Sequence, residues 1–142
     1  MNNQIKTIAQ KAAKQAGKYL ANNFRHLNKK DISIKNRYEI VTRFDYGSEE
    51  IIISHLRKKF PTHSIISEEA GKLKSDPDHL WLIDPLDGTT NYKIGNPMFS
   101  VAICYAYKNQ LQYGIYYAPM MDEFYQAELG KGAKLNDKKI RV

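Results

Sequence analysis

Disulfides, long apolar runs, zinc-spaced histidines and an excess of acid are all missing from this chain. Cys104 is the only cysteine, so no internal disulfide can form, which suits a reducing cytoplasm. It lies in an apolar run and reads as a core residue. No apolar stretch approaches the ~20 residues that a membrane helix requires, and the N-terminus is polar and alanine-rich, so a soluble protein without a signal peptide or a membrane partner is expected. His26, His55, His63 and His79 show no zinc-binding spacing. Gly130-Lys131-Gly132 is too short for a dinucleotide fingerprint, and Gly71-Lys72 lacks the remaining letters of a P-loop, so both read as turns. Lys and Arg total 22 against 15 Asp and Glu, a net charge of +7. These basic residues are spread along the chain, which leaves nucleic acid open as a partner without pointing to it. With 142 residues, 42% of them hydrophobic, the chain can bury one core, and nothing in it suggests two full domains.

What is present is concentrated in WLIDPLDGTTNY, Trp81 to Tyr92. Leu80 to Ile83 suits a buried strand, which Pro85 is expected to stop, leaving Asp84 at the strand's carboxyl end. Gly88 permits close backbone approach, and Thr89, Thr90 and Asn91 favour a helix start whose N–H groups can face a phosphate. Hard carboxylate ligands beside amide donors suit Mg²⁺ and a phosphoryl group. An Asp pair three residues apart means little alone, but the five fixed letters of DPxDGT arise by chance in a chain of this size at a rate on the order of 10⁻⁴. A second acidic element, Ser64 to Gly71, reads as a short strand running into Glu68 and Glu69.

The remaining pattern predicts an α+β fold in which two N-terminal helices pack on a mostly antiparallel sheet. Ile5, Ile8, Ala9, Ala12, Ala16, Tyr19, Leu20 and Phe24 recur at helical spacing after Asn2-Asn3. Ile32 and Ile34 form a short strand, and a loop from which Lys35 or Arg37 overhangs the site leads to Glu39-Ile40-Val41-Thr42. A second helix is expected to start at Asp45 as its N-cap and to run to Phe60-Pro61. Phe99 to Tyr107, Leu111 to Ala118 and Glu123 to Glu128 read as a meander whose tyrosines serve packing rather than base stacking. Ile140-Arg141-Val142 would be an open sheet edge.

The DPLDGTTN string, Glu68-Glu69 and the VTRFD segment ending at Asp45 resemble the inositol monophosphatase family of Mg²⁺-dependent, lithium-sensitive sugar phosphatases. The resemblance covers nearly the whole chain as a single N-terminal domain of the layered sugar-phosphatase fold, residues 1–142, truncated so that the C-terminal half is absent. It implies Glu68, Asp84, Asp87 and the carbonyl of Leu86 as metal ligands. Glu68, Asp45 and Thr89 become the catalytic set, with the last two orienting water, and Leu86, Asp87, Gly88 and Thr89 the substrate-binding loop. The implied reaction is Mg²⁺-dependent hydrolysis of myo-inositol 1-phosphate or a related sugar or polyol phosphate; relatives take fructose bisphosphate, nucleotide 3′-phosphates or NADP. Two departures stand out. Ser67 replaces a usual glycine before the glutamates, and the family's further Asp, in a Trp-Asp motif of the C-terminal half, has no counterpart because Trp81 is followed by Leu82. The implied partners are a small phosphorylated substrate and either a second copy of the chain or a separate C-terminal half. The alternative is a non-catalytic basic module that binds RNA or protein.

Overall fold

A computed structural model describes residues 2–36, 40–73 and 75–141. Arg37 and Glu39, expected near the site loop and in the second strand, and Val142 at the sheet edge lie outside the described residues. The chain opens with α1 (Asn3–Asn23), capped by the Asn2 side chain, which accepts from the Gln4 N–H at 2.9 Å. Its inner stripe of Ile5, Ala9, Ala12, Ala13, Ala16 and Leu20 is buried. A two-stranded ribbon, β1 (Ile32–Ile34) with β2 (Ile40–Thr42), leads into α2 (Arg43–Lys59).

That helix starts one turn earlier than the sequence reading placed it. Thr42 is its N-cap, its hydroxyl accepting from Phe44 N–H, and Asp45 sits at the third helical position as the other half of a capping box. Thr42 wins because both residues can then satisfy first-turn amides at once.

The main sheet holds β3 (His63–Ser67), β4 (Gly71–Leu73), β5 (Asp76–Asp87), β6 (Ser100–Tyr107), β7 (Gln110–Ala118), β8 (Glu123–Glu128), β9 (Gly132–Leu135) and β10 (Lys138–Ile140). Their order is β10-β9-β8-β7-β6-β5-β3-β4, antiparallel except for the β3–β5 pair. A short helix, α3 (Thr89–Lys93), joins β5 to β6. The mixed α+β architecture is as expected, with two helices on one face of a mostly antiparallel sheet.

Burial alternates along β6 and β7, so Val101, Ile103, Tyr105, Tyr113 and Ile115 face the helices. Ala102, Cys104 and Gly114 face the other way, together with Ile66 of β3 and Leu82 of β5. Cys104 is therefore only partly buried rather than in the core. Burial still pushes its thiol up, away from the reactive thiolate.

Pro85 does not end β5. The strand runs on to Asp87 through an irregularity in which Asp84 pairs with Ala102 and Asp87 with Ser100. Two β5 residues, Pro85 and Leu86, thus stand opposite one β6 residue, Val101, which is a bulge and suits a proline that cannot donate to the ladder.

Trp81, fully buried, donates its indole N–H to His63 Nδ1 at 3.1 Å. Indole can only donate, so His63 is held neutral with its proton on Nε2. Burial pushes this imidazole below its usual value, with further lowering by His79, stacked at 4.2 Å, and by Arg57, against an opposing pull from Asp76. A depressed histidine binds its proton more readily in the unfolded chain, so its contribution to stability is present above pH ~6.5 and is lost as pH falls below it. Melting temperature is expected to drop between pH 7 and 5.5. His63→Gln, which keeps an acceptor for the indole, should flatten that slope.

Candidate active site

The bulge in β5 builds the acidic corner. On a regular strand Asp84 and Asp87, three residues apart, would point to opposite faces; one extra residue between them returns both to the face turned away from the helices. Asp84 is fixed locally, its Oδ1 accepting from Leu86 N–H at 3.2 Å. The parallel register of Ser67 with Ile83 sets Glu68 beside Asp84, and Glu68 N–H donates to the Ile83 carbonyl at 3.2 Å. Glu68 and Asp84 line one shallow hollow with Ile66, Leu82, Ala102 and Cys104.

Elements from the helix layer brace this corner. Ser48 of α2 donates to the Pro85 carbonyl at 2.6 Å. Glu49, 6% exposed, accepts from the Ser67 hydroxyl and from the backbone N–H groups of Glu69 at 3.1 Å and Ala70 at 2.9 Å, holding the turn that carries Glu68. Asp45 Oδ2 accepts from the Thr42 N–H at 2.8 Å and from its hydroxyl at 2.6 Å, while Asp45 Oδ1 accepts from Thr89 Oγ1 at 2.9 Å. Thr89 Oγ1 also lies 3.1 Å from the Leu86 carbonyl. Burial pushes the Asp45 carboxyl up, and the hydrogen bonds from Thr42 and Thr89 pull part of that shift back. Gly88 caps α3 at φ 89°, and a Cβ there would lie 2.9 Å from the Met98 carbonyl, so only glycine fits between the acidic corner and the helix start.

The electrostatics set three carboxylates against one another. Burial raises Asp84 to about 7, reinforced by the charge of Glu68, a hydrogen bond with Glu68 and the charge of Asp87. Lys35 answers part of this charge, pairing with Glu69 and standing 3.5 Å from Glu68. Of the two cations expected to overhang the site, Lys35 does so.

Glu68, Asp84, Asp87 and the Leu86 carbonyl offer hard oxygen, the donor chemistry that Mg²⁺ prefers. Among the described residues no three His, Cys, Asp or Glu side chains are grouped closely enough to grip an ion by themselves. Such a donor set still fits Mg²⁺, which keeps several waters and takes only one or two carboxylates directly.

Three participants escaped the sequence reading. Glu49 and Ser48 look like ordinary helix-surface polar residues, and Tyr116 like a sheet-packing aromatic, yet its hydroxyl donates to Asp87 Oδ2 at 2.9 Å. Only the distant strand pairing brings Tyr116 here. The other tyrosines divide as expected, with Tyr105 and Tyr113 in the core.

Comparison with known proteins points to one family. The model of the inositol monophosphatase family matches residues 1–142. A Nus factor SuhB from Pasteurella multocida is 42% identical over 141 residues, which are 99% of this chain and 53% of that protein. The crystal structure of the extragenic suppressor protein suhB from Bartonella henselae superposes with a TM-score of 0.93 at 33% identity, covering 99% of this chain and 54% of that one. A Thermotoga maritima IMPase gives 0.88 at 31% identity, covering 100% of this chain and 54% of that one. The chain spans about half the length of the curated relatives it matches. With its full length matched by the family model and its fold shared with those structures, the chain belongs to the inositol monophosphatase family.

Proposed function

We propose that this chain carries the metal-binding and water-orienting part of a phosphate monoester hydrolase, acting on myo-inositol 1-phosphate or a related sugar or polyol phosphate. The convergence of Glu68, Asp84 and Asp87 at one sheet end, with the Asp45–Thr89 hydrogen bond reaching them from the helix layer, carries this reading. Glu68, Asp84, Asp87 and the Leu86 carbonyl would hold Mg²⁺. When bound, that ion supplies Lewis-acid polarisation of the phosphoryl oxygens and makes a bound water more acidic. Thr89 gives its only hydroxyl proton to Asp45 or to the Leu86 carbonyl, so its lone pairs are left to accept from a water and orient it toward phosphorus. The amides of Gly88 and Thr89, at the start of α3, would receive the phosphate oxygens.

Contacts to the rest of the substrate would come from outside these 142 residues: from further chain in the same polypeptide, a separate C-terminal half or another copy of the chain. The sheet face bearing Glu68 and Asp84 supports this, because it continues as an apolar surface through Leu82, Ala102, Cys104 and Leu111 that no described helix covers. Phosphate release from a panel of sugar and nucleotide monophosphates, with and without Mg²⁺, tests the reading on the chain alone and mixed with the remaining segment of a relative. Mg²⁺-dependent release in either arrangement supports it, and none from the folded chain in both contradicts it.

A second reading is a non-catalytic binding module in the cytoplasm. It rests on the +7 charge and on curated relatives named as Nus factors. RNA affinity that falls steeply with salt would favour it, and absent or salt-insensitive binding would remove it.

A further inference from the structure

We infer that Tyr116 is a positioning residue for Asp87 that sets the site's preference for Mg²⁺ over Ca²⁺. This rests on the reading of Asp87 as a metal ligand. Tyr116 stands two strands away from β5, and the register explains how it reaches the acidic corner. Ala102 of β6 pairs with Asp84 on one side and Tyr116 on the other. A methyl group at that central position leaves room for the Tyr116 ring to lean across β6. A larger side chain there would block it.

The ring is also held from behind. Tyr116 pairs with Tyr125 of β8, whose ring meets it edge-on at 6.4 Å, and the Tyr125 hydroxyl is itself anchored on Glu123 at 2.9 Å. The Tyr116 hydroxyl therefore arrives at Asp87 Oδ2 with its approach fixed by two neighbouring strands, at 2.9 Å.

A phenol that donates to one carboxylate oxygen occupies one of its lone pairs and weakens it as a ligand for a cation. Asp87 is left to bind through Oδ1 in preference to both oxygens. Mg²⁺ demands near-octahedral geometry and takes one oxygen per carboxylate, whereas Ca²⁺ accepts bidentate carboxylates in a larger, looser shell. Tyr116 thus favours the smaller ion by weakening the second oxygen as a ligand, and it does so without touching the ion. Partners of this kind, which hold a ligand from outside, are typically worth ~10–100-fold in metal affinity.

Tyr116→Phe tests this directly. Mg²⁺ and Ca²⁺ affinities of the full chain are measured by competition against Mn²⁺, with free Mn²⁺ read by electron paramagnetic resonance. Mg²⁺ affinity is expected to fall by ~10-fold or more in the variant, and Ca²⁺ affinity to fall less or to rise, lowering the Mg²⁺/Ca²⁺ ratio. Tyr107→Phe, opposite His79 at the far end of β6 from Asp87, should leave the ratio unchanged. In an Asp87→Asn background, Tyr116→Phe should have no further effect on the ratio, because both changes act through the same carboxylate. A merely structural role would lower the melting temperature and leave the ratio intact. A wild-type chain that binds Mn²⁺ while Tyr116→Phe keeps both affinities within threefold overturns the inference and leaves the metal site standing. A folded wild-type chain that binds no Mn²⁺ overturns the metal-site reading, and the inference with it.

Discussion

Asp84→Asn is expected to lower Mg²⁺-dependent phosphate release by more than ~100-fold, beyond the loss typical of a group that only supports a ligand from outside. The same change should raise the melting temperature of the metal-free chain at pH 8. Asp84 is the residue on which the charge of the acidic corner falls most heavily, with its pKa raised to about 7 by burial and by Glu68 and Asp87. A carboxyl whose folded pKa lies above its unfolded value contributes stability that is fully present below pH ~4 and is lost as pH rises through about 7. At pH 8 the metal-free protein therefore carries an ionised Asp84 that the fold disfavours. Asn cannot ionise, and its side-chain oxygen can still accept from Leu86 N–H. Wild type and variant should melt alike at pH 4 and diverge above pH 7, with the variant higher. Mg²⁺ should then raise the wild-type melting temperature and leave the variant where it was. Melting curves across pH, with and without Mg²⁺, read both effects. A variant that melts lower at pH 8, or that still releases phosphate at the wild-type rate, contradicts this account of Asp84.

Glu49→Ala is expected to cost ~2–5 kcal/mol, because it strips three donors of their acceptor and each buried donor left unpaired costs ~1–3 kcal/mol. Ser67 Oγ and the N–H groups of Glu69 and Ala70 all lose their acceptor, and no solvent reaches the vacated position easily because Glu49 is 6% exposed. Against a total stability of about 5–15 kcal/mol for a domain of this kind, the loss is large. It should also release the turn that presents Glu68, so Mg²⁺ affinity falls with stability. Glu49→Gln keeps one acceptor oxygen and should recover part of both. Urea unfolding of the three proteins measures the difference. A Glu49→Ala loss under 1 kcal/mol would show that the turn holds itself.

The local features were legible because their signals are local. Asn2 as a cap, the alanine-rich stripe of α1, the meander of β6 to β8 and the Gly88 turn into α3 each declare themselves within a few residues. The start of α2 was misplaced because Thr42 and Asp45 are both good capping residues, and only the finished box shows which stands outside the helix. The extension of β5 past Pro85 was hidden because a proline normally ends a strand, and the bulge that admits it depends on β6. β9 is short and polar enough to pass for a turn and is held by its pairing to β8, while β10, which puts Ile140 at the sheet edge as expected, is held by its pairing to β9.

At the site, the acidic letters were visible but their convergence was not. Asp45 and Thr89 are 44 residues apart, and their pairing rested on the family resemblance until the structure placed them 2.9 Å from each other. Glu49 and Tyr116 carry no local sign of their work. A buried glutamate on a helix looks like a surface one until the turn it holds is seen, and a strand tyrosine shows its target only once the strand order is known.

Calorimetric titration of the metal-free chain with Mg²⁺ at pH 7, in two buffers of different ionisation enthalpy, tests most directly whether Glu68, Asp84 and Asp87 form a cation site. The account predicts saturable binding that releases protons, because Mg²⁺ must displace the proton that Asp84 still shares near neutrality, with affinity rising from pH 6 to pH 8 and no such signal in Asp84→Asn. Absence of saturable heat from the folded wild-type chain at pH 8, or an identical isotherm in Asp84→Asn, would contradict it.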